Sequence, residues 1–310
     1  MTSTIPTAKA APVTDPPPAA PVRRRSASRR RSTPLTIAML AVLAYFLLPL
    51  FWLLIASTKS TQDLFNTFGL WFSHAPQLLA NIKATFTQDD GVFVHWLLNT
   101  VLYAVVSAVG AALLAAAGGY GFAKFRFRGD RFGFNLVLGA VMVPATALAI
   151  PTYLLFAKAG LVNTPWAVIL PSLVNPFGLY LMRIYAADAV PDSLLEAARI
   201  DGAGEARIFG TIVLRLLAPG LVTVLLFTLV ATWNNYFLPL IMLNDPNLYP
   251  ITVGLARWAD QAQNGGAGAS SDMLALVVTG SLISIVPLVA AFLLLQRYWQ
   301  SGLAAGGVKQ

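Results

Sequence analysis

The chain has 310 residues, 57% hydrophobic and only 11% charged, with a mean hydropathy of +0.68; a soluble domain carries roughly a quarter charged residues, so a membrane protein is indicated. Its net charge of +8 then reflects basic cytoplasmic loops rather than a nucleic-acid partner. With no cysteine, and histidine only at His74 and His95, disulfides, cysteine nucleophiles and a histidine-rich metal centre are excluded.

Residues 1–34 read as a disordered basic cytoplasmic tail, rich in Pro, Ala and Arg and too poor in apolar side chains to fold. The runs Arg23-Arg24-Arg25 and Arg29-Arg30-Arg31 suit a topology anchor at anionic lipid headgroups. A secretion signal is disfavoured, because no small-residue cleavage site ends the apolar run that follows.

Beyond the tail, six stretches carry no charged side chain: 35–57, 97–119, 132–156, 161–182, 216–244 and 273–296. Each reaches the roughly 20 residues that cross a bilayer core of about 30 Å. The expectation is an all-α membrane protein with six transmembrane helices. Between the second and third stretches, Tyr120, Phe122, Phe125 and Phe127 interleave with Lys124, Arg126, Arg128 and Arg131, as an interfacial belt does. With the N-terminus inside, the cytoplasmic segments hold seventeen of the 21 Lys and Arg; only Lys59, Lys83, Lys158 and Arg257 fall outside. That imbalance predicts both termini inside.

None of the six stretches holds an Asp, Glu, Lys, Arg or His, so the usual parts of a proton-coupled carrier or an intramembrane hydrolase are missing. Nor is there a phosphate-binding G-x-x-x-x-G-K-[ST] loop. The chain reads as a non-enzyme whose energy comes from another subunit.

Segment 190–215, between the fourth and fifth stretches, holds both glutamates of the chain, Glu196 and Glu205. Ser193 and Glu196 have capping-box spacing, which predicts a helix from about Ser193. Asp201-Gly202 predicts its end, with Gly202 in the left-handed conformation. A second helical stretch is expected from about Gly204, continuing into the fifth span. Helix, glycine turn and helix against the inner membrane face make a docking shape.

Glu196-Ala197-Ala198, then Gly202, then Ile212-x-Leu214 resembles the EAA signature of permease subunits in bacterial ABC importers. Four further stretches are similar to the carbohydrate, maltose-type branch: Phe122 to Gly129, Trp233 to Leu240, Tyr249 to Leu255 and Gly302 to Lys309. One departure stands out: the signature ends in Pro after Leu214, whereas this chain has Arg215, with Pro219 four residues on.

The resemblance implies that 35–310 is a permease domain of the bacterial plasma (inner) membrane. It implies a second homologous permease, two copies of a cytoplasmic ATPase and an extracytoplasmic solute-binding protein as partners, besides membrane lipid. The substrate would be a sugar, with di- or oligosaccharides expected. No cofactor is expected on this chain; ATP and Mg belong to the ATPase subunits. Glu196, Ala197, Ala198, Asp201 and Gly202 would couple ATPase motion to alternating access. Asn135, Asn175, Trp233, Asn234, Asn235 and Tyr236 are candidates for the substrate path, though Asn and Trp in spans also join helices by hydrogen bonds. Pro144, Pro151, Pro171 and Pro176 would kink the third and fourth spans, as a cavity or plain packing requires. The outer segment 245–272 is either a loop reaching into the binding protein or a connector. A permease for a non-sugar solute, or an ion-coupled carrier, is the alternative.

Overall fold

The computed structural model describes residues 33–144, 146–264 and 272–306, with side chains as far as 296. The tail as far as residue 32, the Gly-rich run 265–271 and the C-terminal Gly302 to Lys309 side chains lie outside the described residues. Every regular element within them is helical.

Helix α1, Thr33–Ala56, is apolar on all sides. Just past its end the Thr58 hydroxyl donates to the Ile55 carbonyl at 2.7 Å, and buried Lys59 donates to Thr67 Oγ1 and the Phe68 carbonyl, both at 2.8 Å. Two short helices follow, α2 (Thr61–Asn66) and α3 (Leu78–Thr87). Asp89, Asp90 and Gly91, at φ 48°, 57° and 79°, then turn the chain into α4, Val92–Lys124.

Helix α4 is the spine. Its buried face carries Ala104, Ala108, Ala111, Ala112, Ala115, Ala116 and Gly119, one or two in every helical turn. Small residues let helix backbones approach where lipid offers no hydrophobic drive to associate. A Cβ at Gly119 would stand 2.6 Å from the Arg183 backbone nitrogen, so the crossing with α8 depends on its absence. Three buried clusters lie along α4: Phe93, Trp96 and Tyr103 with Trp258; Ala104 and Ala108 with Leu229 and Trp233; and Ala112 to Tyr120 with Met182, Ile208 and Leu217.

The charge-free stretch 132–156 is not one continuous helix. It forms α5 (Asp130–Val141) and α6 (Ala149–Lys158), parted around Pro144, since proline donates no helical hydrogen bond and crowds the preceding turn. The fourth stretch gives α7 (Trp166–Leu173) and α8 (Pro176–Ala189). Their break falls where Pro176 disfavours helix at Asn175; the Asn175 side chain then caps α8 by accepting from the Gly178 N–H at 2.7 Å. Then come α9 (Asp192–Ile200), α10 (Glu205–Ile208), a π turn (Phe209–Val213), α11 (Leu214–Leu216), α12 (Ala218–Trp233), α13 (Phe237–Met242), α14 (Ile251–Asn264) and α15 (Met273–Gly306).

Among the described residues, four segments are long and apolar enough to cross a membrane: Thr33–Ala56, Leu78–Lys124, Trp166–Ala189 and Met273–Gln296. Glu205–Leu216 and Ala218–Trp233 reach that length and apolarity only when taken together, and the pair is bent by 81°. The helical stretch expected from about Gly204 is present from Glu205 and runs on toward the fifth span through this bend. The turn comes at Leu217, and Pro219 sits in the first turn of α12, where its missing N–H costs nothing. The proline absent at Arg215 therefore reappears at the start of the next helix.

Candidate functional site: a docking helix and two polar clefts

Helix α9 begins one residue before the expected start. Its N-cap is Pro191, in extended conformation at φ −68° and ψ 135°, with no side-chain cap bond. Ser193 already lies inside the helix, so the Ser193–Glu196 capping box does not form; that motif needs its serine at the extended N-cap position. The first turn instead presents Asp192, whose carboxylate accepts from Lys124 Nζ at 2.8 Å and faces the positive end of the helix dipole.

The far end closes as its sequence predicts. Gly202 sits at φ 80°; its N–H donates to the Arg199 carbonyl at 3.0 Å and the Ala203 N–H to the Ala198 carbonyl at 3.0 Å. These are the paired bonds of a Schellman cap. Leu195 and Ala198 are buried in the cluster that holds Tyr120, Met182 and Ile208. Glu196, Ala197, Asp201 and Gly202 are exposed, as is Ile200 at 86%. One face, with Ala198 of the signature, thus anchors the helix to the bundle, while Glu196, Ala197, Asp201 and Gly202 face outward.

Arg199 Nε donates to Glu205 Oε1 at 2.6 Å, clasping α9 to α10 across the glycine turn. This bond holds the Glu205 carboxyl below its usual range and raises Arg199. Behind the clasp, the Tyr120 ring lies 5.8 Å from that of Phe209.

Two clefts flank the break between α12 and α13. The larger, about 330 Å³, is lined by Ser172, Asn175, Phe177, Phe227, Thr228, Thr232 and Asn235, among others. Asn175 Nδ2 donates to Thr228 Oγ1 at 2.9 Å, and the Phe177 and Phe227 rings meet edge-on at 6.1 Å. The smaller, about 260 Å³, lies between Tyr236, Leu240, Val253, Ala256, Arg257 and Asp260.

Of the sequence candidates for the path, Asn175 and Asn235 share the larger cleft and Tyr236 lines the smaller. Trp233 is only 6% exposed and packs with Ala104, Ala108 and Leu229. Asn234 is exposed and donates back to the Val230 carbonyl at 2.8 Å. Asn135 is exposed on α5 and lines neither cleft. Thr228 and Thr232 were missed, although with Asn235 they fall at i, i+4 and i+7, one face of a helix. Arg257 and Asp260 were missed too, because one charged pair on an outer helix resembles ordinary solvated surface.

Apolar helices around small-residue contacts, with a capped amphipathic helix beside them, define a multi-pass membrane protein. Residues 108–303 match the family described as the binding-protein-dependent transport system inner membrane component, and the chain belongs to that family. It is 36% identical over 273 residues to an arabinooligosaccharides transport system permease protein of Halalkalibacterium halodurans, covering 88% of this chain and 94% of the relative. A lactose transport system permease protein of Rhizobium radiobacter is 31% identical over 276 residues, covering 88% and 94%. The fold matches a chain in the crystal structure of a bacterial ABC transporter involved in import of the acidic polysaccharide alginate, with a TM-score of 0.72 and 23% identity, covering 87% of this chain and 98% of that one.

Proposed function

We propose that this chain is one permease subunit of an ATP-driven, binding-protein-dependent importer of di- or oligosaccharides in the bacterial plasma membrane. It pairs with a second homologous permease, rests on two copies of a cytoplasmic ATPase that hold ATP and Mg, and receives sugar from an extracytoplasmic binding protein. The observation that carries this reading is the kinship over nearly the whole chain with permeases named for arabinooligosaccharides and lactose. The larger cleft agrees with it chemically: neutral amides and hydroxyls beside two phenyl rings suit a polyhydroxylated, uncharged ligand.

In this reading the chain spans the membrane six times with both termini cytoplasmic. The broken pair α5 and α6 forms the third crossing, and the seventeen-to-four distribution of Lys and Arg sets the orientation. Helix α9 is the coupling element. ATP binding closes the ATPase pair, the outward-facing Glu196, Ala197, Asp201 and Gly202 receive that motion, Ala198 passes it to the cluster it is buried in, and the bundle switches access.

The test is uptake of labelled lactose, raffinose and arabinotriose by proteoliposomes holding the full assembly. Uptake of at least one sugar should require both ATP and the binding protein, and uptake driven by a proton gradient through this chain alone would overturn the reading. For orientation, cysteines placed at Ser193 and Gln263 in the cysteine-free background should be shielded from and open to an impermeant thiol reagent, respectively, in intact cells. Labelling of the Ser193 site from outside would reverse the topology.

A further inference from the structure

We infer that the smaller cleft, between α13 and α14, is an outer sugar subsite of the translocation path, and that Arg257 and Asp260 make it select uncharged saccharides over uronates. This rests on the sugar-importer reading above and deepens it.

The cleft has fixed walls. Gly254 of α14 packs directly against the Trp96 indole, leaving no room for a side chain. Trp258 Nε1 donates to Asp89 Oδ2 at 3.0 Å, and Thr252 Oγ1 donates to the Asn235 carbonyl at 2.8 Å. Helix α14 is thereby tied to α4 and to the break between α12 and α13, so a ligand there meets preorganised groups and orders little on binding.

Its chemistry is that of a sugar site. Arg257 and Asp260 are three residues apart on α14, the spacing that puts two side chains on one helix face about 5–6 Å apart at Cβ. Arg257 makes no ion pair among the described residues, while one Asp260 oxygen accepts from Asn264 Nδ2 at 2.8 Å. A guanidinium only donates and a carboxylate only accepts. Two neighbouring sugar hydroxyls, each both donor and acceptor, satisfy the two together, and the Tyr236 ring supplies an apolar wall. The charges sum to zero, so a uronate that pairs with Arg257 also meets the like charge of Asp260.

Its lining adjoins that of the larger cleft in the chain. Asn235 lines one and Tyr236, the next residue, lines the other. At about 260 Å³ the outer cleft is slightly smaller than the roughly 300 Å³ at which ligand pockets begin, which suits a single ring of an oligosaccharide passing inward.

The assembled transporter, in nanodiscs for binding and proteoliposomes for uptake, tests this with Arg257→Gln, Arg257→Lys, Asp260→Asn and Tyr236→Ala. The probes are lactose, raffinose, arabinotriose and digalacturonate, with binding read by saturation-transfer NMR on the permease itself. Neutral-sugar signals should fall at least threefold in the Gln, Asn and Ala variants and partly return in Arg257→Lys. Asp260→Asn should gain a digalacturonate signal absent from the wild type. At matched abundance, sugar imported per ATP hydrolysed should fall about threefold to tenfold in the same variants, a ratio that plain destabilisation leaves unchanged. A wild type that imports none of the sugars defeats the importer reading and this inference with it. A wild type that imports sugar while the variants keep its binding and its sugar-to-ATP ratio defeats this inference alone, and wild-type binding of digalacturonate equal to that of neutral sugar defeats the selectivity.

Discussion

The ammonium of Lys124, in the last turn of α4, donates at 2.8 Å to the carboxylate of Asp192, in the first turn of α9. The lysine side chain is 8% exposed and the aspartate 76%. The spine of the bundle is thus charge-paired to the docking helix, with one partner buried and the other solvated.

Because one partner is solvated, the pair is weak in itself. A double-mutant cycle of Lys124→Gln and Asp192→Asn should give a coupling of about 0.5–1 kcal/mol in thermal unfolding of the purified assembly. Strictly additive effects would mean that the contact is incidental.

Gly202 tests backbone conformation without steric crowding. At φ 80° it has open space where a Cβ would be, so Gly202→Val meets only the strain of a left-handed residue, about 1–2 kcal/mol. The variant should insert at normal abundance yet lose most sugar uptake and ATPase co-purification. Gly202→Asn, which tolerates that conformation better, should retain more of both. Equal uptake by the two variants and the wild type would remove the coupling role of this cap.

Glu196 is exposed and has no hydrogen-bond partner among the described residues. Glu196→Lys should therefore leave the unfolding free energy of the isolated permease within the roughly 0.5 kcal/mol typical of surface changes, while ATPase co-purification drops sharply. A reversed charge on the ATPase should restore part of it. Normal ATPase recovery with Glu196→Lys alone would refute the contact.

Two nearby glycines on α4 make a matched pair. A Cβ at Gly119 would stand 2.6 Å and 2.7 Å from backbone atoms of Arg183 and Met182, whereas one at Gly121 meets nothing within 4 Å. Gly119→Ala should destabilise by about 1–3 kcal/mol through overpacking and reduce membrane abundance. Gly121→Ala should be neutral or slightly stabilising. The comparison needs only quantitative immunoblots and thermal melts, and the reverse ranking would contradict the crossing.

The Arg199–Glu205 clasp carries a pH signature. Arg199 lowers the Glu205 pKa from 4.5, so the clasp contributes fully above about pH 4.5 and is lost as pH falls through the lower, folded-state value. Hydrogen-exchange protection at Gly202 and Ala203 should be level from about pH 8 to 5 and decline below that. Glu205→Gln should abolish the decline; its persistence would assign the change to another group.

The charge-free stretches and the Asp201-Gly202 stop were legible because they depend on solvation and local backbone geometry. The true start of α9 was not. Ser193 and Glu196 satisfy a motif by spacing alone, but Pro191 already holds the extended conformation and moves the helix ahead of the serine. Nor could spacing place the cleft, whose Asn175–Thr228 bond joins residues 53 apart in sequence. Trp233 and Asn235 looked alike in one segment, yet packing buries the first beneath α4 and leaves the second at a cleft wall.

The 81° corner at Leu217 makes the chain a bell crank. Two arms nearly at right angles share almost no axial component, so a thrust along Glu205–Leu216 does not drive Ala218–Trp233 along its own length. A push across Glu205–Leu216, at right angles to its axis, would instead turn the second arm about the corner, where Leu217 is fully buried. Thr228 and Thr232 lie on the swinging arm, several turns from the pivot. The input arm and the stretch from Leu217 to Thr228 are of nearly equal length in residues, so a stroke would reach the larger cleft turned in direction and little changed in size.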